Sequence, residues 1–270
     1  MRAWFLSDIH LRGHDDKRVE TLTRFITRLA NGELGEISHL FLVGDIFDLW
    51  VGGHDEFVQE YPELIESIRA LRSKSVEIHY FEGNHDLHLG RFWRDGLGVE
   101  THVAPRYFDL DGLTVRVEHG DQMNPDDRGY LLLRSFLRSS IMTWIADEIP
   151  GSAVKAIGRM MSRTSRKWTH RHFKRSGDVV EKIRTMIRTH AENAFTERPF
   201  DFIFTGHVHV HDEQRLTPPN AKRAVTSLNL GCWPGADRFD RSDEVPLAYV
   251  LEVKLDPNGN KSGTVAPVQI

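Results

Sequence analysis

Five short polar clusters in this 270-residue chain carry residue types that bind cations and move protons. They are Asp8-x-His10, Gly44-Asp45-x-x-Asp48, Gly83-Asn84-His85-Asp86, His119-Gly120-Asp121 and Gly206-His207-x-His209. In an extended segment a carboxylate and an imidazole two positions apart point to one side. Such a pair suits a borderline transition metal. Asp45 can offer both carboxylate oxygens, one to each of two ions, and Asn84 a neutral amide oxygen. His85 can give or accept a proton near neutral pH, with Asp86 placed to hold its ring. Each cluster alone has a plainer use: Asp45 as a helix cap or turn residue, Gly83 to Asp86 as a polar turn, His119 as a structural histidine. Their shared context favours chemistry, because each closes an apolar run.

The elements that must position these clusters follow from the apolar pattern. Ala3 to Leu6, Phe41 to Val43, Val76 to Phe81, Leu113 to Glu118 and Asp201 to Phe204 read as strands that end at the clusters. In α/β sheets ligands gather beyond the carboxyl ends of strands. Lys17 to Asn31 has apolar residues at helical spacing and stops at Asn31-Gly32. Glu56 to Arg72 reads as a second amphipathic helix. Arg106 to Leu110 and Leu113 to Glu118 form a hairpin joined at Asp111-Gly112. Arg223 to Leu230 and Leu247 to Val253 are further strands. The end of the chain from Asp256, with its Pro, Gly and Asn residues, is expected to carry little structure.

Between about Asp127 and Thr196 the alternation of strand and helix stops. The segment is helical in pattern, with Trp144, Trp168 and Met160-Met161, and is broken at Pro150-Gly151 and Ser176-Gly177-Asp178. From Gly151 to Arg175 it carries Lys155, Arg159, Arg163, Arg166, Lys167, Arg171, Lys174 and Arg175 and no acidic residue. With a formal net charge of -4 for the whole chain, the remainder is clearly acidic. A basic, apolar-bearing insertion fits a solvated helix surface, an anionic membrane surface, a phosphate-bearing substrate or nucleic acid. The single cysteine, Cys232, excludes an internal disulfide and a Cys-based zinc site, and fits a reducing compartment. No signal peptide is expected before the first strand, and no apolar run is long enough to span a bilayer.

Taken together and in this order, the five clusters resemble the calcineurin-like metallophosphoesterase family. The resemblance implies an α/β sandwich of two mixed sheets flanked by helices. Its core would be 1–126 and 197–256, with a helical, basic cap at 127–196 and a flexible tail at 257–270. It implies that Asp8, His10 and His209 hold one metal, that Asn84, His119 and His207 hold a second, and that Asp45 bridges them. His85 and Asn84 would serve catalysis, with His85 on the phosphate and leaving group. Mixed His, Asp and Asn donors suit two Mn ions, with Fe or Zn as alternatives.

A narrower resemblance follows His119. His119-Gly120-Asp121-x-x-x-x-Asp126-Asp127-x-Gly129-Tyr130, then Arg134 and Leu137-Arg138-Ser139, looks like the UDP-2,3-diacylglucosamine pyrophosphohydrolases. So do Ser7 to Leu11 and Gly44 to Trp50. That resemblance implies cleavage of a UDP-linked diacyl sugar to UMP and 2,3-diacylglucosamine 1-phosphate in lipid A biosynthesis. It implies Asp127, Arg134, Ser165, Thr169 and His172 as substrate contacts. It also implies a cytoplasmic chain peripheral to the inner face of a bacterial inner membrane. One position departs: the subfamily commonly has Arg where this chain has His85. The same chemistry on another nucleotide or lipid phosphodiester is the alternative. A nuclease is disfavoured, because no aromatic platform is interleaved with the basic residues. A non-catalytic scaffold should have lost ligands, and here all seven candidates are present.

Overall fold

The computed structural model describes residues 1–156, 177–221, 223–236, 245–255 and 261–270. Among these residues two mixed sheets form the body of the molecule. The first has the order β13-β12-β1-β2-β4-β6 and the second β10-β11-β9-β8-β7. The first comprises β1 (Arg2–Leu6), β2 (His39–Leu42), β4 (Glu77–Phe81), β6 (Glu100–His102), β12 (Leu247–Leu255) and β13 (Lys261–Gln269). The second comprises β7 (Arg106–Leu110), β8 (Leu113–Val117), β9 (Phe202–Thr205), β10 (His211–Leu216) and β11 (Val225–Leu230). A small third pair joins β3 (Trp50–Val51) to β5 (Asp86–Leu87) in parallel.

Strand alternation decides the layers. In β1, Ala3 and Phe5 face the second sheet, where Phe5 stacks on Phe204 with ring centroids 3.7 Å apart. Trp4 and Leu6 face the other way, into a core with helices α1 (Lys17–Ala30) and α3 (Pro62–Arg72). The second sheet divides likewise. Phe202 and Phe204 enter the inter-sheet core, whereas Ile203 meets Ala191, Ala194 and Phe195 of α7 (Gly177–Glu197). The mixed α/β sandwich expected from the sequence is therefore present.

Two local expectations are corrected. The single helix expected over Glu56 to Arg72 is two, α2 (Asp55–Val58) and α3, because Pro62 opens the second at its first turn. The end of the chain is not structureless: β13 pairs antiparallel with β12 along nine residues. Its Thr264-Val265-Ala266 stretch suits a strand, and Pro267 is tolerated because β13 is an edge. β10 carries too many charges to read as a strand, yet it buries Asp212 and Leu216 on one face. The Asp111-Gly112 hairpin turn is as expected, with both residues at positive φ, 58° and 84°.

After β8 come α4 (Arg128–Leu137), α5 (Ser140–Glu148) and the helical residues 151–156, labelled α6. Asp127 caps α4 and Ser139 caps α5, each accepting a bond from a backbone N–H of the first turn. Part of this insertion rests on α2. His54 Nε2 donates to Ala146 O at 2.6 Å, and Lys155 pairs with Glu60 at 2.7 Å. The last helix, α7, packs on the second sheet rather than with α4 and α5.

Candidate metal centre

All five clusters meet at one edge of the sandwich, beyond β1, β2, β4, β8 and β9. The backbone reaches this edge by leaving the extended region. Asp8, His10, Asp45, His207 and His209 all have positive φ, between 50° and 71°. Asp and His tolerate this region better than most residues, but each such residue costs on the order of 1–3 kcal/mol. Asp8 and His10 thus share a side, as do His207 and His209, but through paired left-handed turns and not through an extended segment. That pattern is invisible to a two-residue spacing rule.

Three side chains surround one position. Asp8 Oδ1 lies 3.2 Å from His209 Nε2 and 4.0 Å from His10 Nε2, and the two imidazole nitrogens are 3.1 Å apart. Asp8 is fully buried, and its Oδ1 accepts no hydrogen bond. Its other oxygen, Oδ2, accepts from His207 N at 2.9 Å and from the Ser7 hydroxyl. A buried carboxylate oxygen without a donor is costly, and a cation among these three groups would satisfy it.

Four side chains surround a second position. Asn84 Oδ1 is 3.0 Å from His207 Nδ1 and 3.4 Å from His119 Nε2. His119 Nε2 is 3.6 Å from Asp45 Oδ2. The same Asp45 Oδ2 lies 3.8 Å from His10 Nε2, so one oxygen faces both positions. Asp45 Oδ1 is committed elsewhere, accepting from His85 N at 2.9 Å. Asp45 Oδ2 is thus the oxygen nearest both groups of imidazoles, while Oδ1 accepts the His85 N–H. Asp8, His10 and His209, and separately Asp45, His119 and His207, have ligand-type atoms mutually close enough to hold a metal ion.

The surrounding hydrogen bonds fix tautomers. His119 Nδ1 donates to Val43 O at 2.9 Å, which leaves Nε2 as the ring atom facing Asp45 and Asn84. His85 Nδ1 donates to Asp48 O at 2.9 Å, so its Nε2 is the free ring atom, and His10 and Asp45 lie around it. Asp86 does not orient the His85 ring as expected. It is buried and accepts from Gly83 N, Asp45 N, Ile46 N and Tyr80 Oη, at 2.6 to 3.1 Å. Asp86 thereby ties the loop after β2 to the loop after β4. Burial and the neighbouring Asp45 carboxylate push its pKa up to about 7.

Burial lowers His10 well below the usual imidazole range and His207 to about 4, so both are neutral donors. Burial opposes a charge on His119 too, but the carboxylates of Asp45 and Asp8 outweigh it and hold that pKa up. For Asp8, burial acts upward and is outweighed by His209 and His119, leaving it lowered. Glycine is required at the closest approaches. A Cβ on Gly83 would overlap Asp45 Oδ1, and one on Gly44, at φ 84°, would overlap the His119 ring.

The insertion reaches this edge through Asp121, to which the sequence assigned no role of its own. Asp121 Oδ2 accepts from Arg134 Nε at 2.6 Å, Tyr130 Oη at 3.0 Å and Arg138 Nη1 at 3.3 Å. Arg138 Nη2 also donates to Gly83 O at 2.7 Å, beside Asn84. Of the expected substrate contacts, Asp127 caps α4 and Arg134 is held by Asp121 and Val103 O. Ser165, Thr169 and His172 lie outside the described residues, as does most of the basic stretch. Leu132, Phe136, Ile141 and Trp144 are more than half exposed on α4 and α5. No described helix is long and apolar enough to cross a membrane.

A protein from Aeromonas salmonicida named UDP-2,3-diacylglucosamine hydrolase is 28% identical over 89% of this chain and 93% of its own length. One of the same name from Nitrosococcus oceani is 28% identical over 90% of this chain and 95% of its own. Among solved structures, vacuolar protein sorting 29 from Cryptosporidium parvum aligns over 100% of this chain and 98% of its own at 12% identity, with a TM-score of 0.45. Calcineurin-like phosphoesterase is the family whose sequence pattern matches, over residues 1–211. That span takes in all five polar clusters, and the chain accordingly belongs to the calcineurin-like phosphoesterase family of metal-dependent hydrolases.

Proposed function

We propose that this phosphoesterase hydrolyses the pyrophosphate of UDP-2,3-diacylglucosamine, giving UMP and 2,3-diacylglucosamine 1-phosphate. Asp8, His10 and His209 would hold one divalent cation and Asn84, His119 and His207 the other, with Asp45 lying between the two groups. Mn is the first choice for this donor set, with Fe or Zn as alternatives. When bound, such a pair supplies charge stabilisation at the phosphoryl group and activation of the attacking water. The observation that carries the two-ion reading is the buried, donor-free Oδ1 of Asp8 together with the single Asp45 oxygen shared by two groups of imidazoles.

The chain's own contribution is positioning and proton handling. His85, with Nδ1–H anchored on Asp48 O, presents Nε2 towards the same space and can bind a phosphate oxygen or protonate the leaving phosphate. Asn84 is held by the loop that Asp86 and Arg138 brace. Asp121, Tyr130, Arg134 and Arg138 position α4 over the centre. The exposed apolar side chains Leu132, Phe136, Ile141 and Trp144 give the acyl chains a surface to meet, beside the reaction site. The same face, together with the basic residues of the insertion, suits attachment to an anionic inner-membrane surface from the cytoplasmic side.

The test is release of UMP from UDP-2,3-diacylglucosamine by the purified chain with Mn added. The expected result is turnover that Asp45→Ala abolishes. Hydrolysis of a generic aryl phosphodiester without UMP release would keep the metal centre and exclude this substrate. Two relatives of the same name, matched over most of their length, support the substrate assignment.

A further inference from the structure

A second group of imidazoles lies at the other end of β2 and β4, away from the centre just described. His39 opens β2, six residues before Asp45, and is the register partner of Glu77 on β4. His79 follows two residues later on the same face of β4, and His102 ends the neighbouring β6. The mechanism above uses none of these residues.

Hydrogen bonding fixes which ring nitrogens are available. The Ser38 hydroxyl donates to Arg2 O at 2.8 Å, so its oxygen accepts from His39 Nδ1 at 2.9 Å. His39 Nε2 is then a lone pair. His79 Nδ1 faces the Glu100 carboxylate at 3.4 Å and the His102 ring nitrogen Nε2 at 3.2 Å, and a proton on His79 Nδ1 suits that carboxylate. His79 Nε2 is therefore also a lone pair, and it is buried without a hydrogen-bond partner in a side chain only 3% exposed. Glu77 Oε2 stands between the two, 3.6 Å from His39 Nε2 and 3.7 Å from His79 Nε2. Donors about 2.0–2.2 Å from a tetrahedral Zn ion stand roughly 3.4 Å from one another, close to this spacing.

We propose that His39 Nε2, His79 Nε2 and Glu77 Oε2 form a separate binding site for one borderline divalent cation of the Zn or Co class. Two imidazoles and a carboxylate suit such an ion. The donors sit on adjacent paired strands, so the site needs little reorganisation. Glu77 is 62% exposed, which gives the ion a path in and leaves the remaining coordination position to solvent. Burial keeps both imidazoles neutral, with His79 lowered to about 3. His102 and Glu100 act as positioning residues that hold the His79 tautomer. The Nδ1 side of His79 is a weaker candidate, because its nitrogen and His102 Nε2 already face each other as donor and acceptor.

Equilibrium dialysis of the chelator-stripped full chain against Zn, with metal counted by mass spectrometry, tests the site. Wild type should bind one equivalent more than Glu77→Gln or His39→Gln, and both variants should keep their phosphodiesterase activity. In an Asp8→Ala, Asp45→Ala background one equivalent should remain, with Co giving a visible tetrahedral spectrum. Glu77→Gln should weaken that equivalent by more than about tenfold, the smallest loss typical of an outer-shell partner. Glu77 is largely exposed, so its replacement leaves the fold intact and the difference from wild type stands by itself. Equal stoichiometry in wild type and Glu77→Gln would overturn the proposal. So would release of the ion by Glu100→Gln and not by Glu77→Gln.

Discussion

The backbone N–H of His85 donates to Asp45 Oδ1 at 2.9 Å, and this one bond shapes the centre. It removes Oδ1 from competition and turns Oδ2 into the atom that both groups of imidazoles face. It also couples the residue proposed to handle protons to the residue proposed to bridge the cations. Because the bond uses the His85 backbone, the side chain at that position is free to vary without disturbing Asp45.

The first prediction follows from that separation. His85→Ala should keep full metal content, since its backbone N–H still holds Asp45. Turnover should fall by about 10²–10⁴, the range for loss of a general acid or base. Metal analysis alongside kinetics checks this, and loss of cations in His85→Ala would make the imidazole a ligand.

Asp121 is expected to be a stability residue as much as a functional one. Arg134 and Arg138 are 13% and 10% exposed and share its Oδ2. Asp121→Ala leaves the largely buried Arg134 without its carboxylate and Arg138 with only Glu82, 3.7 Å away, at a cost of about 3–5 kcal/mol. Denaturant unfolding measures this directly. A loss below about 1 kcal/mol would mean that α4 is anchored by other contacts.

The His79 and His102 pair sets an acid limit on the chelator-stripped protein. Their folded values fall from 6.5 to about 3 and about 4, mainly through burial, with Arg106 adding to the effect on His102. Glu77 and Glu100 face the same rings from the rim. Between pH 6.5 and about 4 the unfolded chain holds protons that the folded chain does not. Stability therefore rises with pH across that window and is lost on acidification. His79→Gln with His102→Gln should flatten the slope of unfolding free energy against pH. An unchanged slope would show that these rings take up protons in the folded state.

The fold and the centre differ in how far they can be read from residue order. The buried strands, the Asp111-Gly112 hairpin and the five clusters are legible because each rests on local pattern. The orientation of the Asp45 carboxylate is not legible, since it depends on a backbone bond from a residue forty positions away. The left-handed turns at Asp8, His10, His207 and His209 are hidden for a related reason: these residue types adopt positive φ only when tertiary contacts hold them there. Asp86 misleads in the same way. Its place beside His85 suggests a partner for the ring, whereas its burial commits it to backbone donors on two loops. β13 is missed because Pro, Gly and Asn before it signal a turn, and pairing to the edge of β12 is a nonlocal event.

The proposed centre depends on Asp45 standing between two cations at once. Electron paramagnetic resonance of the chelator-stripped chain loaded with two equivalents of Mn tests that most directly. A bridging Asp45 should give a spin-coupled spectrum in wild type that Asp45→Ala replaces with isolated-ion lines or with loss of bound Mn. Uncoupled six-line spectra in wild type, or coupling that persists in Asp45→Ala, would contradict it.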